Sequence, residues 1–142
     1  MSLSTNSKFA AQPQGTVEVV TTESAITADN TAVAVPCAGA KKIGIVFTEG
    51  GTVNNRSGVL TITVSFDGTN FYAYSMLVSN ATNTNSQTLT RVASITRAAA
   101  GTDICWMTPE TLGPIVALKT NLDVTDGGAP TGNYTIKVII QY

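Results

Sequence analysis

The chain contains no histidine. That removes the commonest general base near neutrality, the usual zinc ligand and any Ser-His or Cys-His nucleophile pair. Two cysteines, Cys37 and Cys105, stand too far apart in sequence for a zinc knuckle and read as two buried, reduced thiols. No glycine-rich phosphate loop and no G-x-S-x-G elbow occurs. Nine carboxylates remain: Glu18, Glu23, Asp29, Glu49, Asp67, Asp103, Glu110, Asp123 and Asp126. A pair of them at the right separation can act as acid and base on a glycoside. Most, however, fall at strand ends or in turns, where Asp ordinarily bonds back to the local backbone. Asp123 and Asp126 beside Gly127-Gly128 offer oxygens to a hard cation, but calcium needs six to eight of them, and a turn accounts for the same residues. The expectation is a protein that is not an enzyme, with no cofactor and no metal.

Aromatic side chains are the other candidates. Tyr72, Tyr74 and Trp106 can form a stacking platform for a sugar, or an interface in which a large apolar face carries one polar handle; interface or core packing is the preferred reading. Three N-x-S/T sequons, at Asn55, Asn80 and Asn133, are what chance supplies in a chain so rich in Asn and Thr. With no apolar leader at the N-terminus, they are expected to stay unglycosylated.

The elements that must position these residues read as β-strands. In the stretch 57–78, Leu60, Ile62, Val64 and Phe66 alternate with Val59, Thr61, Thr63 and Ser65, the period of a half-buried strand. Asp67-Gly68-Thr69-Asn70 turns the chain. A return strand then sets Tyr72, Tyr74, Met76 and Val78 against Phe71, Ala73, Ser75 and Leu77. Before this hairpin, 16–22 and 31–35 read as short strands, the second stopped by Pro36, and 42–49 as a strong strand with Ile43, Ile45 and Phe47 on one face; 50–56 is a loop. After it, 79–86 reads as a polar loop. Residues 87–96 fit a strand or, by the stacking of Leu89, Val92, Ala93 and Thr96, a helix; their Thr and Ser content favours the strand. Strands follow at 103–108, 115–124 and 133–142, the last with Tyr134, Ile136, Val138, Ile140 and Tyr142 on one face. The sum is a single-domain all-β protein, a β-sandwich of about eight strands with jelly-roll or Greek-key connections over 16–142. It is preceded by a polar arm at 1–15, held by a neighbour or folded onto its own domain.

Composition agrees. Charged residues are 12% of the chain, about half the usual ~25%, while Thr alone contributes 23 of the 142 residues. Hydroxyls and amides therefore make the polar surface, and β-branched Thr suits a pleated sheet. A weakly charged surface resists association poorly, which suits a subunit of an assembly. The net charge of −1, with eight dispersed Lys and Arg, does not provide the basic cluster that nucleic acid needs. No apolar run approaches the ~20 residues of a membrane helix. Neither partner is expected.

The segments SFDGTNFYAY, SNATNTNSQT and LTRVASIT, within residues 64–96, resemble small β-sandwich virion proteins of tailed bacteriophages, the capsid decoration or cement proteins. The resemblance implies a protein made in the host cytoplasm and carried on the capsid surface of the virion. There it binds the major capsid protein and braces neighbouring subunits, commonly as a homo-oligomer, a trimer. It brings no catalytic residues with it. The contacts it implies are the arm, through Ser2, Leu3, Lys8, Phe9 and Gln12, and the hairpin, through Tyr72 and Tyr74. The alternative is a carbohydrate-binding or adhesin module of a tail or fibre.

Overall fold

A computed structural model describes residues 17–50, 56–83, 86–107, 113–126 and 132–142, with side chains at 17–21 and 79–89 left aside. Twelve strands fill these segments: β1 (Val17–Ile26), β2 (Asn30–Thr31), β3 (Val35–Pro36), β4 (Lys42–Gly50), β5 (Arg56–Ser65), β6 (Tyr72–Tyr74), β7 (Met76–Asn83), β8 (Ser86–Val92), β9 (Ser94–Arg97), β10 (Gly101–Met107), β11 (Ala117–Asp126) and β12 (Asn133–Gln141). Every pairing is antiparallel. The first sheet runs β1-β12-β4-β10-β7-β8. The second has β11 and β5 at its centre, with β2 and β3 along the far edge of β11 and β6 and β9 along the far edge of β5. Among the described residues no helix is long and apolar enough to cross a membrane.

The alternating side chains meet between the two sheets. Ile43, Ile45 and Phe47 of β4, Ile136, Val138 and Ile140 of β12, and Cys105 and Met107 of β10 face Leu60, Ile62 and Val64 of β5 and Leu118 and Leu122 of β11; all are buried. The fold is thus the expected sandwich, with more strands, of which β2, β3, β6 and β9 are two to four residues long.

The 57–78 hairpin departs from the sequence reading. The return strand is not continuous. Only Tyr72–Tyr74 pair with β5; at Ser75 the chain leaves the second sheet, and β7 joins β10 in the first. The stretch 79–86, read as a loop, largely continues β7 and opens β8, which pair from Met76↔Val92 onward. The strand read over 87–96 is two strands, β8 and β9, broken at Ala93, with β9 back on β5. Ser75 and Ala93 therefore form a shared corner where one long hairpin bends from sheet to sheet. A single propensity cannot show such a bend, because each half is an ordinary strand. Phe66, placed by alternation on the buried face, lies beyond the end of β5 and is half exposed, while Ser65 is fully buried. The strand expected at 31–35 is two short pieces, β2 and β3, and Pro36 is the last residue of β3, opposite Ala117 at the edge of β11, where a residue without an N–H is tolerated.

Candidate functional site

Of the residues singled out as contacts, Ser2, Leu3, Lys8, Phe9 and Gln12, with the arm at 1–15, lie outside the described residues. Tyr72 is 56% exposed and stacks on Phe66, itself 50% exposed, with centroids 6.3 Å apart and planes 22° from parallel. Tyr74 is different: it packs against the core beside Ile62 and is half-buried. Tyr72 remains available to a partner on one side of the molecule, and Lys119 lies over the neighbouring Phe71 ring at 4.2 Å.

The turn that holds Phe66 and Tyr72 together is tightly bonded. The Asp67 carboxylate accepts the N–H groups of Thr69 and Asn70, both at 2.8 Å, the Ser65 hydroxyl at 3.0 Å and the Asn70 amide at 2.7 Å. These donors favour the charged form and hold the Asp67 carboxyl far below the usual carboxylate range.

Trp106 lies elsewhere, on the outer face of the first sheet, so the three aromatics read as one platform are not assembled. Strand register explains what does surround it. Ile139, Gly44, Trp106 and Leu77 lie directly abreast on β12, β4, β10 and β7. The next outward row places Lys137, Val46 and Ile104 side by side. Gly44 has no side chain, and among the described residues beyond its chain neighbours only the Ile139 carbonyl oxygen, at 4.0 Å, comes within 4 Å of a Cβ built there. The result is a groove of about 400 Å³ floored by Gly44, walled by Trp106 and Ile139 and closed at one end by Lys42 and Gln141. Ile104, 54% exposed, stands beside it. A sheet that already buries one face and is apolar on the other as well has surface to cover. The sequence does carry the signal: Val138-Ile139-Ile140 and Ile104-Cys105-Trp106-Met107 are unbroken apolar runs, which mark a sheet covered on both faces rather than on one.

The inner face ends in polar side chains. Arg56, buried in β5, donates from Nε to Asp126 at 2.6 Å and from Nη1 to the Gly132 carbonyl. Arg97 of β9 pairs with Asp103 of β10 at 2.7 Å. The Tyr134 hydroxyl donates to the Arg97 carbonyl at 3.2 Å, and its ring stacks on Phe47 at 5.5 Å. Glu49, 5% exposed, faces this end of the interior from β4. Asp126, weighed as half of a cation site with Asp123, is thus engaged by Arg56, and Asp123 is exposed on β11. Among the described residues no three His, Cys, Asp or Glu side chains are placed to hold a metal ion. Cys37 and Cys105 are free and buried, and burial pushes their thiols up to about 11 and about 12.

No protein-family model matches the sequence, and no curated protein matches it. The fold has a counterpart among solved structures. The crystal structure of the SPBc2 prophage-derived protein YomS superposes with a TM-score of 0.58 over 89% of this chain and 92% of that one, at 12% identity. At that identity the likeness establishes architecture, and the chain is an all-β sandwich built like a prophage-derived protein.

Proposed function

We propose that the chain is a non-enzymatic virion structural protein that binds the outer surface of a phage capsid and reinforces contacts between major capsid subunits, as a homo-oligomer such as a trimer. The observation that carries this reading is the outer face of the first sheet. Trp106, Ile104, Val46, Ile139 and Leu77 form an apolar band across strands whose other face already fills the core. Clusters of this kind, and Trp above all, are what protein interfaces bury. The prophage origin of a protein with the same architecture supports the phage setting. The sparse charge supports a subunit held in an assembly, and a modest contact repeated over a lattice gains avidity without strong single sites.

The test is co-sedimentation with purified capsids of the same phage. The full chain is expected to saturate a fixed number of sites per capsid. A chain lacking residues 2–14 is expected to dissociate more readily, because the arm is proposed as a second contact. Occupancy and release rate that do not change on its removal refute the arm's role, and a full chain that never pellets with capsids refutes the function.

A further inference from the structure

We infer that the groove over Gly44 docks an acidic partner surface, one that presents an apolar side chain flanked by carboxylates. This rests on the reading of the protein as a binder of a protein lattice and specifies the chemistry of the patch it grips.

Charge around the groove decides the occupant. Lys42 forms one end of it. Lys137 lies two residues along β12 from Ile139, on the same outward face, and is exposed. Arg91 of β8 lies opposite Leu77, which itself adjoins Trp106, and is exposed as well. Neither lysine nor Arg91 belongs to either ion pair among the described residues, which join Arg56 to Asp126 and Arg97 to Asp103. The carboxylates of the first sheet with described side chains point the other way. Glu23, Glu49 and Asp103 lie abreast of Ile136, Tyr134 and Phe47, all inward positions. A chain whose net charge is −1 therefore carries an outward face that is apolar and, among its described side chains, solely cationic.

That asymmetry disfavours the two occupants the chain itself could supply. A second copy docked through the same face sets Lys42, Lys137 and Arg91 against their own images. Residues 1–16 contain Lys8 and no carboxylate, so they bring an apolar Phe9 but the wrong charge. An acidic surface satisfies both features: its apolar side chain enters the space left by Gly44 against Trp106, and its carboxylates meet the three cations at the rim. Rim charges of this kind set association rate and partner choice more than they set affinity.

Trp106 is the only tryptophan in the chain, so its emission reports on the groove. The probes are random copolymers of glutamate with tyrosine, polyglutamate alone, and copolymers of lysine with tyrosine, each titrated with excitation selective for tryptophan. The glutamate–tyrosine copolymer is expected to shift Trp106 emission saturably, with an affinity that falls as salt rises. Polyglutamate is expected to bind more weakly, and the lysine copolymer not at all. Reversing two rim charges, Lys42→Glu with Lys137→Glu, is expected to weaken the glutamate–tyrosine copolymer by about tenfold or more, while Gly44→Val, which fills the floor, abolishes the shift and leaves the fold intact by circular dichroism. Equal binding of the acidic and basic copolymers overturns the inference. So does a charge-reversed protein that binds as before, or concentration-dependent dimerisation that Gly44→Val abolishes. Capsid co-sedimentation separates this from the functional reading: capsids bound normally by the charge-reversed protein leave the function standing and the docking face refuted. Copolymer binding without capsid binding leaves the groove chemistry standing and the capsid role refuted.

Discussion

Gly58→Ala tests the packing at the polar end of the sandwich. A Cβ built on Gly58 falls 2.6, 2.8 and 3.0 Å from three carbons at the far end of the Tyr134 ring, the first two closer than real Cβ contacts come. The ring cannot simply slide. It is fully buried, stacked on Phe47, and tethered by its hydroxyl to the Arg97 carbonyl directly across the register from Gly58. Overpacking of this kind costs about 1–3 kcal/mol. Gly58 does not have a positive φ, so alanine fits the backbone and returns about 0.4–1 kcal/mol by restricting the unfolded chain. At mid-range the net loss is about 1.3 kcal/mol, with about 2.6 kcal/mol as the upper end, which for a domain of this size lowers Tm by roughly 4–5 °C at mid-range. The measurement is thermal unfolding by circular dichroism, with urea midpoints at fixed slope as a second readout. A double-mutant cycle isolates the cause: Tyr134→Leu removes the three carbons, and in that background Gly58→Ala is expected to be neutral or slightly stabilising. If Gly58→Ala costs the same with leucine at 134, to within about 0.5 kcal/mol, the clash is not what the glycine relieves, and the reasoning fails.

Acid should weaken the 67–70 turn. The folded Asp67 carboxyl is held below its ordinary range by four donors. Its stabilisation is therefore complete above the unfolded value of about 3.9 and drains away as pH falls toward the lower folded value. The stability gap between wild type and Asp67→Asn is expected to narrow from pH 5 to pH 2.5 in urea titrations; a gap that stays constant contradicts the bonding. The buried thiols give a second check. With Cys37 and Cys105 pushed up to about 11 and about 12, an aromatic disulfide reagent at pH 8 should find both only after denaturation, and rapid labelling of the native protein would count against their burial.

Much of the core was legible, for a physical reason. β4, the front of β5 and β12 bury one face each, so Ile43, Ile45 and Phe47, then Leu60, Ile62 and Val64, then Tyr134 through Ile140 obey a strict period of two. What escaped was anything set by a neighbouring strand. The corner at Ser75 and Ala93 depends on where β5 ends, and the Asn- and Thr-rich segment that follows forms strands because it pairs with its own return, while β10 pairs only Leu77 and Val78 just before it. The groove was only half legible. Trp106 stood out as a residue type, but Gly44 and Ile139 lie far from it in sequence, and only the register brings the three abreast. Phe66, assigned to the core by alternation, lies beyond the end of β5 and stacks on Tyr72 instead. Tyr74, paired with Tyr72 by spacing, is drawn inward by its position beside Ile62.

The pairing of Val17 with Gln141 has a mechanical consequence. Val17 and Gln141 lie side by side at the same end of two adjoining antiparallel strands. Tension applied between them would part the β1–β12 ladder one hydrogen bond after another, as a zipper opens, instead of loading the whole row in shear. Strain is better borne through the broad flank of the first sheet, where many strands share it at once.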